Sequence, residues 1–128
     1  MRPLAVMMSR DIRTIGPTAT LAEAARALRD AKVGALLVSD RGSYLGVISE
    51  ADLVRKAMAE GMDASQAPVQ SIMSSPVITM EIDGSAHQAS DLMAEKGIRH
   101  LAITEDGRIV GVISVRDLLR YFKNWGTL

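Results

Sequence analysis

Two serine–aspartate pairs, spaced alike, are the residues of this chain best suited to chemistry. Gly46-Val47-Ile48-Ser49-Glu50-Ala51-Asp52-Leu53 returns 65 positions later as Gly111-Val112-Ile113-Ser114-Val115-Arg116-Asp117-Leu118. Ser-x-x-Asp after an apolar strand is a helix N-terminus signature, with Ser as the cap and Asp facing the positive end of the helix. The same place is a ready anion site, because the first N–H groups of a helix lack partners within it. A serine hydroxyl there can donate to a phosphate oxygen, and the aspartate can accept from a ribose hydroxyl. Spacing alone leaves the cap and the ligand clamp both open.

Composition removes most other chemistry. Cysteine is absent, which excludes disulfides, thiolate metal sites and cysteine nucleophiles. Two distant histidines give a metal site little support, and no Gly-rich phosphate loop, metalloprotease helix or nucleophile elbow is present. Fifteen basic residues balance fifteen acidic ones, so no basic field exists to hold a nucleic-acid backbone. No apolar run is long enough to span a bilayer, and residues 1–13 already carry three arginines and an aspartate. The expectation is a soluble cytoplasmic protein that engages neither nucleic acid nor membrane.

The elements that position the two pairs repeat with them. Met8-Ser9 matches Met73-Ser74, Thr14 matches Thr79, Ala24 matches Ala89, Leu36 matches Leu101, Gly42 matches Gly107 and Arg55 matches Arg120, all at the same offset. Each copy predicts a short strand (12–15, 77–80) and then a helix opened by a capping box, Thr20-x-x-Glu23 or Ser85-x-x-Gln88. Leu21, Ala24, Ala25 and Leu28 fall at helical spacing, as do Ala89, Leu92 and Met93. Two strands around a Gly-containing turn follow (33–38 and 44–48; 98–104 and 108–113), and a second helix starts at Ser49 or Ser114. Residues 62–71 read as a linker, and residues from Trp125 onward as a loose tail. His87 reads as a solvated residue in the first turn of its helix, and Met58 and Met93 as core filling. At 128 residues the chain has the length of one domain, and a half of about 60 residues buries only a marginal core alone.

Two β-α-β-β-α units, each carrying Gly-x-x-Ser-x-x-Asp at its last strand–helix junction, closely resemble a tandem pair of cystathionine β-synthase (CBS) domains, the Bateman module. Met8-Ser9-Arg10-Asp11, Met73-Ser74-Ser75-Pro76 and Ile98-Arg99-His100-Leu101 are further marks, and the resemblance runs from about Val6 to Phe122. It implies an α/β (α+β) fold: repeat 1 over residues 1–61, the linker over 62–71 and repeat 2 over 72–128, packed about a pseudo-twofold axis with two related clefts. In nucleotide-binding relatives the aspartate holds ribose hydroxyls, the serine or threonine lies near phosphate, and first-strand and second-strand residues hold adenine. Carried over, one cleft uses Ser49 and Asp52 with Ile12, Thr14, Val33 and Ala35. The other uses Ser114 and Asp117 with Val77, Thr79, Ile98 and His100.

The copies differ where Gly34-Ala35 of the first faces Arg99-His100 in the second. In relatives with basic residues here, these commonly reach the phosphates of a nucleotide held by the other repeat. Arg offers a planar fork for phosphate oxygens, and His can add charge near neutral pH. The resemblance therefore implies that the Asp52 cleft, served by Arg99 and His100, is the tighter phosphate site. Surface pairing of Arg99 with Glu95 or Asp106, and packing of His100 in its strand, are the structural alternatives.

The resulting expectation is a non-catalytic regulatory module that binds an adenine nucleotide (AMP, ADP or ATP) as regulatory ligand, forms a homodimer and acts on a further protein. S-adenosylmethionine and NAD are alternative ligands, and a homodimerisation or docking platform without nucleotide is the alternative function. No catalytic cofactor, metal or catalytic residue is expected.

Overall fold

Repetition of caps and turn residues at a fixed offset builds the same small sheet twice. The computed structural model describes residues 2–125. Its first elements are α1 (Pro3–Met7), β1 (Thr14–Ile15), α2 (Leu21–Ala31), β2 (Ala35–Asp40), β3 (Ser43–Ser49) and α3 (Glu50–Asp52). The helix begun by α3 widens into a π-helical stretch, Leu53–Met58, and a 3-10 turn follows at Val69–Ser71. The second series is β4 (Thr79–Glu81), α4 (Ala86–Lys96), β5 (His100–Glu105), β6 (Arg108–Ser114) and α5 (Val115–Trp125).

Each copy is a β-hairpin with a parallel strand added. β2 pairs antiparallel with β3 across the two-residue loop Arg41-Gly42, and β5 with β6 across Asp106-Gly107. All four loop residues have positive φ, the backbone of the turn whose twist matches a tight hairpin. β1 lies parallel to β2, and β4 to β5, so each sheet reads first, second, third strand in order. A parallel neighbour needs a crossover, and α2 and α4 supply it. Both open with the expected capping boxes. The Glu23 and Gln88 N–H groups donate to Thr20 Oγ1 and Ser85 Oγ at 3.1 and 3.0 Å, and both side chains reach back to the cap N–H.

Contacts divide the chain into two compact units, Arg13–Val77 on one side and residues 2–12 with 78–125 on the other. The first has a core of Leu21, Ala24, Leu28, Leu36, Val38, Ile48, Ala57, Val69 and Ile72. Leu4, Met8, Ile82, Ala89, Met93, Leu101, Ile103, Ile113, Leu118 and Phe122 are among the buried residues of the second. Val69 within the expected linker, and Ile72 just beyond it, are therefore core residues. The Met-Ser dipeptides are the less local feature. Ser74 exchanges two backbone hydrogen bonds of 2.9 Å with Val47, and Ser9 exchanges two, of 2.9 and 3.0 Å, with Val112. Each dipeptide thus pairs with the copy that it does not lead in sequence.

Several expectations shift in detail. β1 has two residues instead of four: its register with β2 covers Thr14 and Ile15, and the Arg13 carbonyl just before them accepts from the Leu37 N–H at 3.0 Å. Ala25 sits on the exposed side of α2. Met58, the last residue of the π-helical stretch, is exposed, whereas Met93 is buried as expected. Exposed His87 lies with its ring 4.8 Å from that of Phe122. Trp125 ends α5 instead of opening a tail, and residues 126–128 lie outside the described residues. No helix among the described residues is long and apolar enough to cross a membrane.

Candidate functional site

Both Ser–Asp pairs form reciprocal clamps at a strand–helix junction. Ser49 ends β3 in extended backbone and caps α3. Its Oγ accepts from the Asp52 N–H at 3.2 Å, while Asp52 Oδ2 accepts from the Ser49 N–H at 2.9 Å and the Ser49 hydroxyl at 3.1 Å. Ser114 and Asp117 repeat the arrangement at 3.2, 2.8 and 3.0 Å. The helix-cap reading is thus realised in both copies, and each serine spends its one hydroxyl proton on its own aspartate. What the clamp leaves available is the second carboxylate oxygen, Oδ1. A carboxylate has about four lone-pair sites, so each aspartate keeps acceptor capacity beyond its cap.

The strand before each clamp brings two more of the expected residues alongside. Ala35 stands opposite Ser49 in the β2–β3 ladder, and His100 opposite Ser114 in the β5–β6 ladder. Paired residues of an antiparallel ladder direct their side chains to the same face. His100 is therefore a same-face neighbour of Ser114 within its own unit. The Gly34 and Arg99 carbonyls accept from the first helical N–H of Glu50 and Val115 at 3.0 and 2.9 Å. Arg99 and Thr14 are exposed, and so is Thr79, whereas Ile12, Val33, Ala35, Val77, Ile98 and His100 are half-buried. Thr14 and Thr79 sit in register with Leu37 and Ala102. Val33 and Ile98 donate to the Leu28 and Met93 carbonyls and so lock the end of the preceding helix to the next strand.

The glycine that opens each motif has a local task. An added Cβ at Gly46 would stand 2.4 Å from the Ser74 carbonyl oxygen, and at Gly111 it would stand 2.6 Å from Met8 Sδ and 2.9 Å from the Ser9 oxygen. Glycine is required there because the Met-Ser segment crosses directly over β3 or β6. The recurrence of Met-Ser and of Gly-Val-Ile-Ser at one offset was the available signal, but nothing in it says that they meet.

One cation at the site was missed in the sequence. Lys56 Nζ lies 3.0 Å from Asp52 Oδ1, and it also donates to the Ile72 carbonyl at 3.1 Å and to Ser74 Oγ at 3.2 Å. In the second copy the cation nearest the clamp is Arg120, the counterpart of Arg55, and it stands 4.0 Å from Asp117 Oδ1. The signal was the mismatch of Lys56 with Tyr121 at the common offset. Among the described residues no group of three or more His, Cys, Asp and Glu is arranged to hold a metal.

The family described as CBS domain matches residues 4–59 and 69–124. An uncharacterized protein of Methanopyrus kandleri is 37% identical over 113 residues, which are 87% of this chain and 58% of that protein. The chain thus spans little more than half the length of that relative. The CBS domain-containing protein YhcV of Bacillus subtilis is 32% identical over 111 residues, 87% of this chain and 79% of that one. Among solved structures, one of a putative signal-transduction protein with CBS domains from Burkholderia ambifaria superposes with a TM-score of 0.87 at 28% identity, covering 93% of this chain and 88% of that one. A hexameric CBS-CP12 protein from bloom-forming cyanobacteria gives a TM-score of 0.84 at 28% identity, over 93% of this chain and 72% of that one.

Proposed function

From the premise that the chain belongs to the CBS-domain family, with two such domains in tandem, we propose that it is a regulatory module that senses an adenosine-containing ligand, AMP, ADP or ATP first among them. A CBS pair marks a regulatory or sensor module, and the CBS domain is the family matched over both halves of the chain. The observation that supports a nucleoside ligand is the aspartate of each clamp, fixed by its serine through Oδ2 with Oδ1 on the other side of the carboxylate. A fixed carboxylate oxygen is a suitable acceptor for ribose hydroxyls. The half-buried apolar residues Ile12, Val33 and Ala35 with Thr14, and Val77 and Ile98 with Thr79, are the proposed base-binding residues.

Arg99 and His100 are proposed to serve the phosphates. The arrangement expected from the family makes the Asp52 copy the tighter phosphate site, whereas the register of His100 against Ser114 favours the Asp117 copy. Coupling separates the two. If Arg99 serves the nucleotide held at Asp52, the losses from Arg99→Ala and Asp52→Asn combine non-additively, and those from Arg99→Ala and Asp117→Asn simply add.

Isothermal titration with AMP tests the proposal. Asparagine retains an acceptor for the serine and replaces the second carboxylate oxygen with a donor. Each Asp→Asn change should therefore weaken the site that it belongs to by about tenfold or more, as loss of a hydrogen bond to a charged group does. Absence of heat and of any thermal shift with AMP, ADP and ATP would sink the sensor reading in favour of a docking or dimerisation platform. S-adenosylmethionine and NAD share the ribose and adenine and belong in the same titration. The hexameric CBS-CP12 relative supports self-association of this chain, which we propose as a homodimer. Its regulated target is a further protein.

A further inference from the structure

The two clamps hold their serines alike and differ in what meets the remaining carboxylate oxygen. Two of the roughly four lone-pair sites of each aspartate are filled on Oδ2 by the serine N–H and hydroxyl. At Asp52 a cation already stands at the other oxygen, because Lys56 Nζ is ion-paired with Oδ1 at 3.0 Å. At Asp117 the Arg120 guanidinium stands 4.0 Å away, beyond hydrogen-bond reach, and position 121 is a tyrosine where position 56 is a lysine.

Lys56 is no loose surface ammonium. Its ammonium donates to the Ile72 carbonyl and to Ser74 Oγ and is held against Asp52 Oδ1 as an ion pair. Freeing Asp52 Oδ1 therefore means separating an ion pair whose cation is anchored at two further points. The aspartates differ in access as well. The Asp52 side chain is 11% exposed against 24% for Asp117. Asp117 also borders a cavity of about 130 Å³ that Arg120 and Tyr121 help to line.

A vicinal diol brings two hydroxyl donors. Asp117 Oδ1 can accept both, whereas at Asp52 Oδ1 the ion-paired Lys56 ammonium competes with them. We infer that Lys56 is a specificity-determining residue, an internal competitor at Asp52 that leaves Asp117 as the better seat for a ribose diol. The inference rests on the nucleoside-binding reading proposed above. It concerns the diol alone, so the probe is adenosine, which carries the diol without the phosphates that Arg99 and His100 would draw.

Adenosine and AMP are titrated calorimetrically into the full chain and its variants, with thermal unfolding as a check on folding. Adenosine affinity should fall about tenfold in Asp117→Asn and stay within about twofold in Asp52→Asn. Lys56→Met, which keeps the stem and removes the ammonium, should restore adenosine binding to the Asp117→Asn protein. The reciprocal Tyr121→Lys should weaken adenosine binding in the otherwise unchanged chain, and it serves independently if Lys56→Met unfolds. A larger adenosine loss in Asp52→Asn than in Asp117→Asn, or no gain from Lys56→Met in the folded protein, overturns the inference. If AMP binds while adenosine shows that reversed or flat pattern, only the role of Lys56 falls. If neither ligand binds any variant, the nucleotide reading falls and the inference with it.

Discussion

The first and second copies share strand order, hairpin turns and clamp geometry, yet they reach these shared features with different residues. The left-handed residue that ends α2 is Lys32, at φ 57°, and the one that ends α4 is Gly97, at φ 64°. The box that opens α2 uses a carboxylate and the box that opens α4 an amide. Beyond the clamp, α5 continues as an α-helix, whereas the first copy turns π-helical at Leu53, with the Ala59 N–H donating to the Val54 carbonyl five residues back. Single π turns frequently mark functional sites, and here the widened turn carries Lys56, the residue that ties Asp52 to Ile72 and Ser74. Strand and clamp geometry are thus common to the copies, and the divergence lies in charge and in the helical turn that follows the clamp.

The largest expected effect probes the crossing of the Met-Ser segments. Gly46→Ala drives a methyl group against a backbone carbonyl, that of Ser74 at 2.4 Å, and backbone in a paired rung cannot swing aside. Gly111→Ala first meets the Met8 side chain, a flexible thioether that can rotate, although the Ser9 oxygen at 2.9 Å must also give. Urea unfolding should show a loss of about 3 kcal/mol for Gly46→Ala and about 1–2 kcal/mol for Gly111→Ala. Equal losses would mean that the two crossings are mechanically alike, and the comparison would then rest on charge alone.

Much of this architecture was legible because it is local. Capping boxes, positive-φ turn residues and apolar runs lie within a few residues of the feature that they specify, so Thr20, Ser85, Gly42 and Gly107 announce their roles. The clamp was legible in the same way, as Ser-x-x-Asp is short-range chemistry. The exchange of Met8-Ser9 and Met73-Ser74 between copies was not, because a backbone rung between positions 27 or 103 residues apart has no residue-type requirement apart from the glycine beneath it. Lys56 escaped for a related reason. Its Asp52 partner is at helical spacing, but Ile72 and Ser74 come from beyond the expected linker and give that ordinary pair its hold. The mismatch with Tyr121 was visible in the repeat, and only the fold gives it meaning.

A smaller effect tests the helix ends. Lys32 and Gly97 occupy equivalent left-handed positions, which cost a residue with a Cβ about 1 kcal/mol relative to glycine. No heavy atom outside the chain neighbours lies within 4 Å of an added Cβ at Gly97, so the cost there is conformational alone. Lys32→Gly should therefore stabilise the chain by about 0.5–1 kcal/mol, and Gly97→Ala should destabilise it by about 1 kcal/mol. Differential scanning calorimetry measures both. Opposite signs sustain the equivalence of the two helix ends, and a loss in both variants would break it by showing that the Lys32 side chain does more than tolerate its backbone.

The smallest effect separates the two capping boxes by pH. The Thr20 N–H, followed by the Thr20 hydroxyl, holds the Glu23 carboxyl below the ordinary carboxylate range. A group whose folded value is depressed stabilises the fold fully above its unfolded value and loses that contribution as pH falls through the folded one. Gln88 makes the same cap without a titrating group. Between pH 7 and the acid side of the carboxylate range, Glu23→Gln should lose less melting temperature than the unchanged chain, and Gln88→Glu should lose more. Each shift should be small, since Glu23 is exposed to solvent and its charge is screened. Melting temperatures of the three proteins across that window, at low and high salt, decide the matter. Identical acid profiles would show that the caps are interchangeable in charge as well as geometry, and would confine the divergence of the copies to the clamps themselves.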